Sequence, residues 1–397
     1  MKPNDPRSAR LFLFALGVSV AVGLLGCPHE AATPPSTLSP VPPRVDAQAC
    51  EQTSPDPDVH LGSMAIPGLR GIEALAIGGT TTWAIDASGA LLRWGVATQR
   101  PKGHHVFSAV PAVVIAGDVA AISASGDGAC ARMSDGALRC FGADLAAADD
   151  ENEMPLDFTR EIELPANLRV VDVIGGGLRG CARLVGPAGD VICFDEATGS
   201  KSFLSPPRAL PAGPLVGVSS MMIDVLWGFT PGSTAWAADL STMIGAPRPY
   251  KGLDQLVAFD AAFDCACGST AGGRVRCTGD MTAGVLGKNP PAGPIDQWVQ
   301  ADIEGVPPAV EIVIGDGFAC ARHADGTATC WGNNGDGEAG GCSTSTLARP
   351  TRVRGLSGAK HLAAGPSHAC AVVDDGAVRC WGKNIAGAFG VPPAKAP

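Results

Sequence analysis

Several classes of protein are argued against by what this chain has little of. Its 397 residues include one tyrosine, aromatic side chains make up 5% and charged side chains 17%. No segment sustains the 3.6-residue apolar period of a long amphipathic helix, which argues against a helical protein. Lysine and arginine number 29 against 39 aspartate and glutamate, giving a net charge of −10. An acidic surface argues against a nucleic-acid partner. The cysteines show no C-x-x-C pair of a redox centre and none of the paired close spacings of a zinc site. Glycine (52), proline (33) and cysteine (14) are abundant instead, the composition of a turn-dense all-β protein.

The amino terminus bears on the compartment. Lys2, Arg7 and Arg10 precede a fifteen-residue apolar run, Leu11 to Leu25, which is short for a spanning helix. The run ends in "LLGC", which resembles the lipobox of bacterial lipoproteins: cleavage before Cys27, which then receives lipid. An ordinary signal peptide with a chance cysteine is the alternative. Residues 1–26 are thus expected to be a signal peptide; they carry three basic groups and one acidic, so their removal takes the net charge from −10 to −12. Residues 27–61, rich in proline and small polar residues, read as an extended tether holding a domain (62–397) off a membrane. Pro28 stands where aspartate would favour inner-membrane retention. By resemblance to that sorting rule, the outer membrane is the expected address.

Exported cysteines predict disulfides. Laid against itself, the chain repeats one unit: "CARMSDGALRCFG" (from Cys130), "CARLVGPAGDVICFD" (Cys181), "CACGSTAGGRVRCTG" (Cys265), "CARHADGTATCWG" (Cys320) and "CAVVDDGAVRCWG" (Cys370). A sixth copy, "WAIDASGALLRWG" (Trp83), has Trp and Arg at the two cysteine positions, and a seventh, "VLWGFTPGSTAWA" (Val225), has Val and Ala. The seven first positions recur with a period of about 48 residues. Each unit has the form of a β-hairpin. A ten-residue spacing leaves a three-residue loop such as Ala324-Asp325-Gly326, with the glycine in the left-handed position, and sets the two cysteines opposite each other. The two cysteine positions are filled together in five units and empty together in two, as a bond demands. The expected disulfides are Cys130–Cys140, Cys181–Cys193, Cys265–Cys277, Cys320–Cys330 and Cys370–Cys380. With Cys27 lipidated, Cys50, Cys267 and Cys342 remain, an odd number. Cys267–Cys342 is the expected sixth bond on chain-entropy grounds, with Cys50–Cys342 its close competitor.

Glycines recur around each unit, as at Gly332, Gly337 and Gly340 and at Gly382, Gly387 and Gly390, where turns need positive φ. The pattern P-x-x-V-x-G-L…G-x-x-H-x-C-A…D-G-x-V-x-C-W-G-x-N-x-x-G-x-x-G, best kept from Pro350 to Gly390, resembles the repeat of the regulator of chromosome condensation family. The resemblance covers about residues 62–392, strongest in the last two units. It implies a seven-bladed β-propeller of four-stranded blades, matching the seven units counted. Closing the ring leaves few open edges, and "SMAIPGL" (Ser63–Leu69) is the expected source of the strand that completes the last blade.

Other motifs dissolve against the repeat. "GGGLRG" (Gly175–Gly180) runs into a hairpin strand where a dinucleotide site needs a helix; "GVLGKN" lacks the Ser or Thr of a phosphate loop; "NNGDGEAGG" (Asn333–Gly341) coincides with the family's turn. "DDENE" (Asp149–Glu153) reads as a solvated loop ahead of a cation site. His368 occupies the family's own G-x-x-H-x-C position, where packing accounts for it, and nothing places a Ser, Cys or carboxylate beside a histidine. No catalytic residue, metal or cofactor is therefore expected. The expected function is a non-catalytic, lipid-anchored extracytoplasmic propeller that binds a protein or other macromolecule; the resemblance implies action through the loops of a propeller face. A structural envelope protein is the competing class, and an enzyme with a site at the axis the third. Trp227, Phe229, Tyr250 and Trp298 are aromatics that the repeat does not explain. They mark a candidate binding surface, with core filling in an irregular blade as the alternative.

Overall fold

The computed structural model describes residues 54–100, 104–125, 128–142, 158–162, 169–176, 179–184, 190–195, 208–209, 215–219, 225–228, 234–239, 248–249, 252–262, 265–279, 299–344, 348–392 and 394. They form seven four-stranded antiparallel sheets. In chain order the first six lie within 72–115, 119–162, 170–209, 215–249, 256–302 and 309–352. The seventh joins three strands within 359–383 to Val59–Ala65 from the other end of the chain, which pairs with Val378–Lys383. Each sheet's first strand packs against the first strand of the next, and Ala359–Ala364 of the seventh packs against Ile72–Ile77 of the first. The fold is a β-propeller with the first strands innermost. The completing strand begins at Val59, three residues inside the stretch read as tether and four before the expected Ser63. A bulge between His60 and Met64 shifts its register, a feature that alternation of residue types does not reveal.

The core lies between neighbouring sheets. Between the seventh and the first it comprises Ile66, Leu75, Trp94, Val378 and Phe389 among others; between the sixth and seventh it includes Phe318, Leu362 and Trp381. Hydrogen bonds cross the same seams. Gly376 O accepts from Ile72 N at 3.0 Å, and Ala388 O accepts from Trp94 Nε1 at 2.8 Å and Thr82 Oγ1 at 2.9 Å. Trp381 Nε1 likewise donates to Glu338 O at 2.9 Å. Trp94 and Trp381, each of a Trp-Gly pair, thus dock on the turn of the preceding sheet. The asparagine two residues after that Gly shapes the turn itself: Asn384 Oδ1 accepts from Phe389 N at 3.0 Å and its amide donates to Val391 O at 3.1 Å. Asn334 does the same with Ala339 N at 2.9 Å and the carbonyl of Ser343. Gly332 shows why no side chain is tolerated after the tryptophan. Its φ is +103°, and an added Cβ would lie 2.5 Å from Gly317 O.

The hairpins carry disulfides Cys130–Cys140, Cys320–Cys330 and Cys370–Cys380, with Cα atoms 4.0 to 4.1 Å apart. Cys181 and Cys193 stand opposite each other in the ladder. In the first sheet the two positions hold Trp83 and Arg93, and the guanidinium lies 5.5 Å from the indole centroid, a cation–π contact in place of the bond.

Two units depart from expectation. The fifth-sheet bond is Cys267–Cys277, not Cys265–Cys277, because the loop there is the ordinary three residues after Thr270, closed by Gly273 N to Thr270 O at 2.8 Å and Thr270 N to Arg274 O at 2.9 Å. Cys265 is buried two residues earlier, opposite Gly279, at the ladder position of His368, Phe318 and Thr81. A Cys267–Cys342 bond is thereby excluded, although Cys342 is disulfide-bonded. In the fourth sheet Val225 faces Asp239, not Ala237.

Candidate functional site

The innermost strands carry a charged cluster that spans four sheets. Glu311, on the first strand of sheet six, accepts from Arg322 Nε at 2.6 Å, from His361 Nδ1 at 2.7 Å and from Leu362 N at 3.3 Å. His361, on the first strand of sheet seven, turns its Nε2 to Leu75 O of sheet one at 3.2 Å. One sheet further back, Asp260 accepts from Ile314 N at 2.7 Å and Ala261 N at 2.9 Å. Each carboxylate therefore takes a backbone N–H of the next sheet's first strand, a group that lies on the unpaired edge of that sheet.

The protonation states follow from these contacts. Burial opposes charge on His361, but the hydrogen bond and charge of Glu311, with the Leu75 carbonyl, outweigh it and hold the ring above its usual pKa. Burial likewise opposes ionisation of Glu311, and His361 and Arg322 overcome it, keeping the carboxyl below its usual range. Among the described residues Asp260 has no cationic partner. Burial drives it up to about 7 against the two backbone donors, and the charge of Glu311 adds to the rise. Glu311 and the Leu75 carbonyl occupy the two ring nitrogens of His361. The cluster's chemistry is attachment of one sheet to the next.

His323 and His368 are framework groups. His323 has Nδ1 3.0 Å from Pro308 O and Nε2 2.9 Å from Thr329 Oγ1. His368 is fully buried, its ring centroid 5.6 Å from that of Phe389, and burial pushes its pKa down to about 4. In "NNGDGEAGG" the Glu338 carboxylate accepts from Asp336 N at 2.7 Å; burial raises it to about 7. Among the described residues, no group of three or more His, Cys, Asp or Glu could hold a metal ion.

A pH dependence follows. Asp260 is raised, so its contribution to stability is complete below the unfolded value of 3.8 and is lost as pH climbs through about 7. Glu338 acts in the same sense from 4.5, and the raised His361 loses its contribution above 6.5. His368, His323 and His60, all lowered by burial, act oppositely as pH falls below 6.5. Above the histidine range the carboxyls decide the sign, and the protein is expected to melt at a lower temperature at pH 9 than at pH 7. Asp260→Asn should flatten that fall whatever it does to the absolute melting temperature; an unchanged profile would contradict the placement of the buried proton on Asp260.

Of the four aromatics proposed as a binding surface, Trp227 lies within strand Val225–Gly228, opposite Gly217 and Ala237. That is the ladder position of Arg132, Arg183 and Arg322 in other sheets. Phe229, Tyr250 and Trp298 lie outside the described residues, as do Cys27 and Cys50. The sequence reading missed Asp260, Glu311 and His361. Aligning the first strands would have exposed them, since Glu311 stands where other strands have Ala74 and Ala258, and Asp260 where they have Ala76, Ser123 and Ala363.

Known proteins share this architecture. Residues 309–338 and 359–388, in sheets six and seven, match the Regulator of chromosome condensation (RCC1) repeat. The chain thus carries repeats of that family on a β-propeller. Among solved structures, Prp20p from Saccharomyces cerevisiae aligns with a TM-score of 0.56 at 14% identity, covering 79% of this chain and 82% of that one. Human WBSCR16 aligns at 0.55 and 15% identity, covering 79% and 87%. At these identities the likeness is one of fold. Prp20p has binding properties towards Gsp1p and histones. No curated protein matches the chain.

Proposed function

We propose that this protein is a non-catalytic, lipid-anchored extracytoplasmic propeller that binds a protein partner. The observation that carries the reading is the commitment of its polar groups. The inner-strand carboxylates and His361 are consumed in joining sheets, which leaves the connecting loops to meet a partner. The hairpin disulfides support an oxidising compartment, "LLGC" supports acylation at Cys27, and Prp20p, a propeller of the same fold, binds proteins.

Two experiments test it. Cys27→Ser should move the protein from the membrane fraction to the soluble one; continued sedimentation with membranes would remove the anchor from the reading. Full-length protein in detergent, immobilised and exposed to envelope extract, should retain one protein saturably, in competition with free propeller. Trp227→Ala or Trp298→Ala should weaken that retention if the partner meets this side of the ring. Lower melting temperatures with unchanged capture would instead identify these residues as core filling. The absence of saturable capture, with stable envelope association, would favour a structural role.

A further inference from the structure

The first strand of every sheet slips its register at the same step, where the ladder passes over one residue. The residues passed over are Glu73 and Ala120 in sheets one and two, Val171, Val216, Val257 and Val310 in sheets three to six, and Lys360 in sheet seven. Just before the slip the strand is anchored on the hairpin turn of the preceding sheet: Val119 N donates to Gly89 O at 3.0 Å, Val170 N to Gly136 O at 3.0 Å and Ala359 N to Gly326 O at 2.9 Å. These anchored side chains are buried, and the bulge re-aims the next one out of the seam. Val171, Val257 and Val310 are accordingly 47%, 44% and 46% exposed, three of the five large apolar side chains that stand exposed among the described residues. Scattered singly, such valines would mean little. Repeated at one step of the innermost strands, they form an apolar arc at the hairpin-turn end of the axis.

A guanidinium borders this arc. Arg322 stands opposite Glu311, the residue after Val310, and gives it its Nε at 2.6 Å. Its two terminal nitrogens make no hydrogen bond among the described residues, and 20% of the side chain is exposed. With Lys360, Asp325 and Asp374 it lines a cavity of about 340 Å³ in the seam between sheets six and seven. Neither carboxylate there is its partner. Asp325 accepts from Thr327 N at 2.9 Å and Thr327 Oγ1 at 2.7 Å within its own turn, and Asp374 lies 3.9 Å from Lys360 Nζ. The end of a guanidinium presents N–H groups in a fork that a carboxylate fits with both oxygens.

We propose that this mouth takes the carboxyl-terminal residue of a protein partner, its carboxylate on the terminal nitrogens of Arg322 and its apolar side chain on the valine arc beside Val310. The proposal rests on the protein-binding reading and names the part of the partner that is bound. A chain terminus suits the arrangement because it carries a carboxylate and a side chain on one Cα. Inside an extended segment, an acidic residue and its apolar neighbour point to opposite faces, so the pair does not enter one mouth together. Glu73 and Lys360 hold the same step in sheets one and seven with charge, which directs the apolar side chain towards sheets three to six.

Titration of the full chain, carried in lipid nanodiscs with isotope-labelled valine methyls, against N-acetyl-leucine tests this by NMR. The methyl shifts of Val257 and Val310 should saturate with a dissociation constant on the order of a few millimolar, the strength expected of so small a ligand. N-acetyl-leucinamide, which lacks the carboxylate, and acetate, which lacks the side chain, should each bind about tenfold more weakly. Val310→Asp, at an exposed position, should fold normally and lose the acid by a similar factor. Arg322→Lys keeps a charge for Glu311 without the fork and should bind acid and amide alike. The proposal is overturned by the absence of saturable shifts, by equal binding of acid and amide to the unaltered protein, or by unchanged binding in Val310→Asp. Undiminished saturable capture of an envelope protein by Val310→Asp would overturn it too while leaving protein binding itself standing, so the two readings fail separately.

Discussion

Glu311→Ala is expected to be among the most damaging single substitutions in the propeller, costing about 3 kcal/mol of stability. The carboxylate receives Arg322, His361 and the Leu362 amide together, with 18% of its side chain exposed. Removing it leaves a guanidinium and an imidazolium facing each other across a partly buried space, and an inner-strand N–H without its acceptor. Most of the cost is that of charges left uncompensated, and for that reason Glu311→Gln, which keeps the shape and one acceptor, should cost less. His361 should fall back in pKa in both variants, since Glu311 is what raises it. Thermal melts combined with NMR titration of the histidine ring check both halves. Stability within about 1 kcal/mol of wild type, a level typical of exposed pairs, would mean that the cluster is solvated and does not join the sheets. A cycle with His361→Ala should be strongly non-additive, because the two residues share one contact.

The way this cluster escaped the sequence reading is physical. A hairpin is written locally: ten residues, a three-residue loop and a glycine at positive φ put Cys320 opposite Cys330 wherever the chain goes afterwards. The register of the ten-residue hairpins and the positive φ of the glycine after the tryptophan were therefore legible, whereas the twelve-residue spacing from Cys265 misled the pairing in the fifth unit. The contacts of Glu311 join residues 11, 50 and 51 positions away, and Asp260 meets Ile314 across 54. Those distances become short only through the packing of successive sheets, and no local spacing encodes that. The early start of the completing strand at Val59 has the same origin, since its partner lies more than 300 residues away. Trp227, irregular as a letter in the repeat, occupies an ordinary ladder position.

Cys267→Ala should cost the protein about 2 to 3 kcal/mol, the loop-entropy value of a hairpin bond of this length, while Cys265→Ala should cost less than about 1 kcal/mol, removing only a small buried thiol. The contrast is sharp because the two residues lie two apart on one strand, their side chains on the same face. Alternation cannot tell them apart; only the turn can. The turn after Thr270 is the same three-residue loop that Gly326 closes in sheet six, so the bonded partner of Cys277 must lie ten residues back, at Cys267. Cys265, at the position where sheet seven has His368 and sheet six has Phe318, fills space. Unreduced peptide mapping of Cys265→Ala should still show the bond to Cys277, and urea unfolding should move its midpoint far less than Cys267→Ala does. Equal losses in the two variants, or exchange of the bond from Cys267 to Cys265 with no loss of stability, would show that the fifth hairpin accepts either register, and that its turn does not fix which cysteine is bonded.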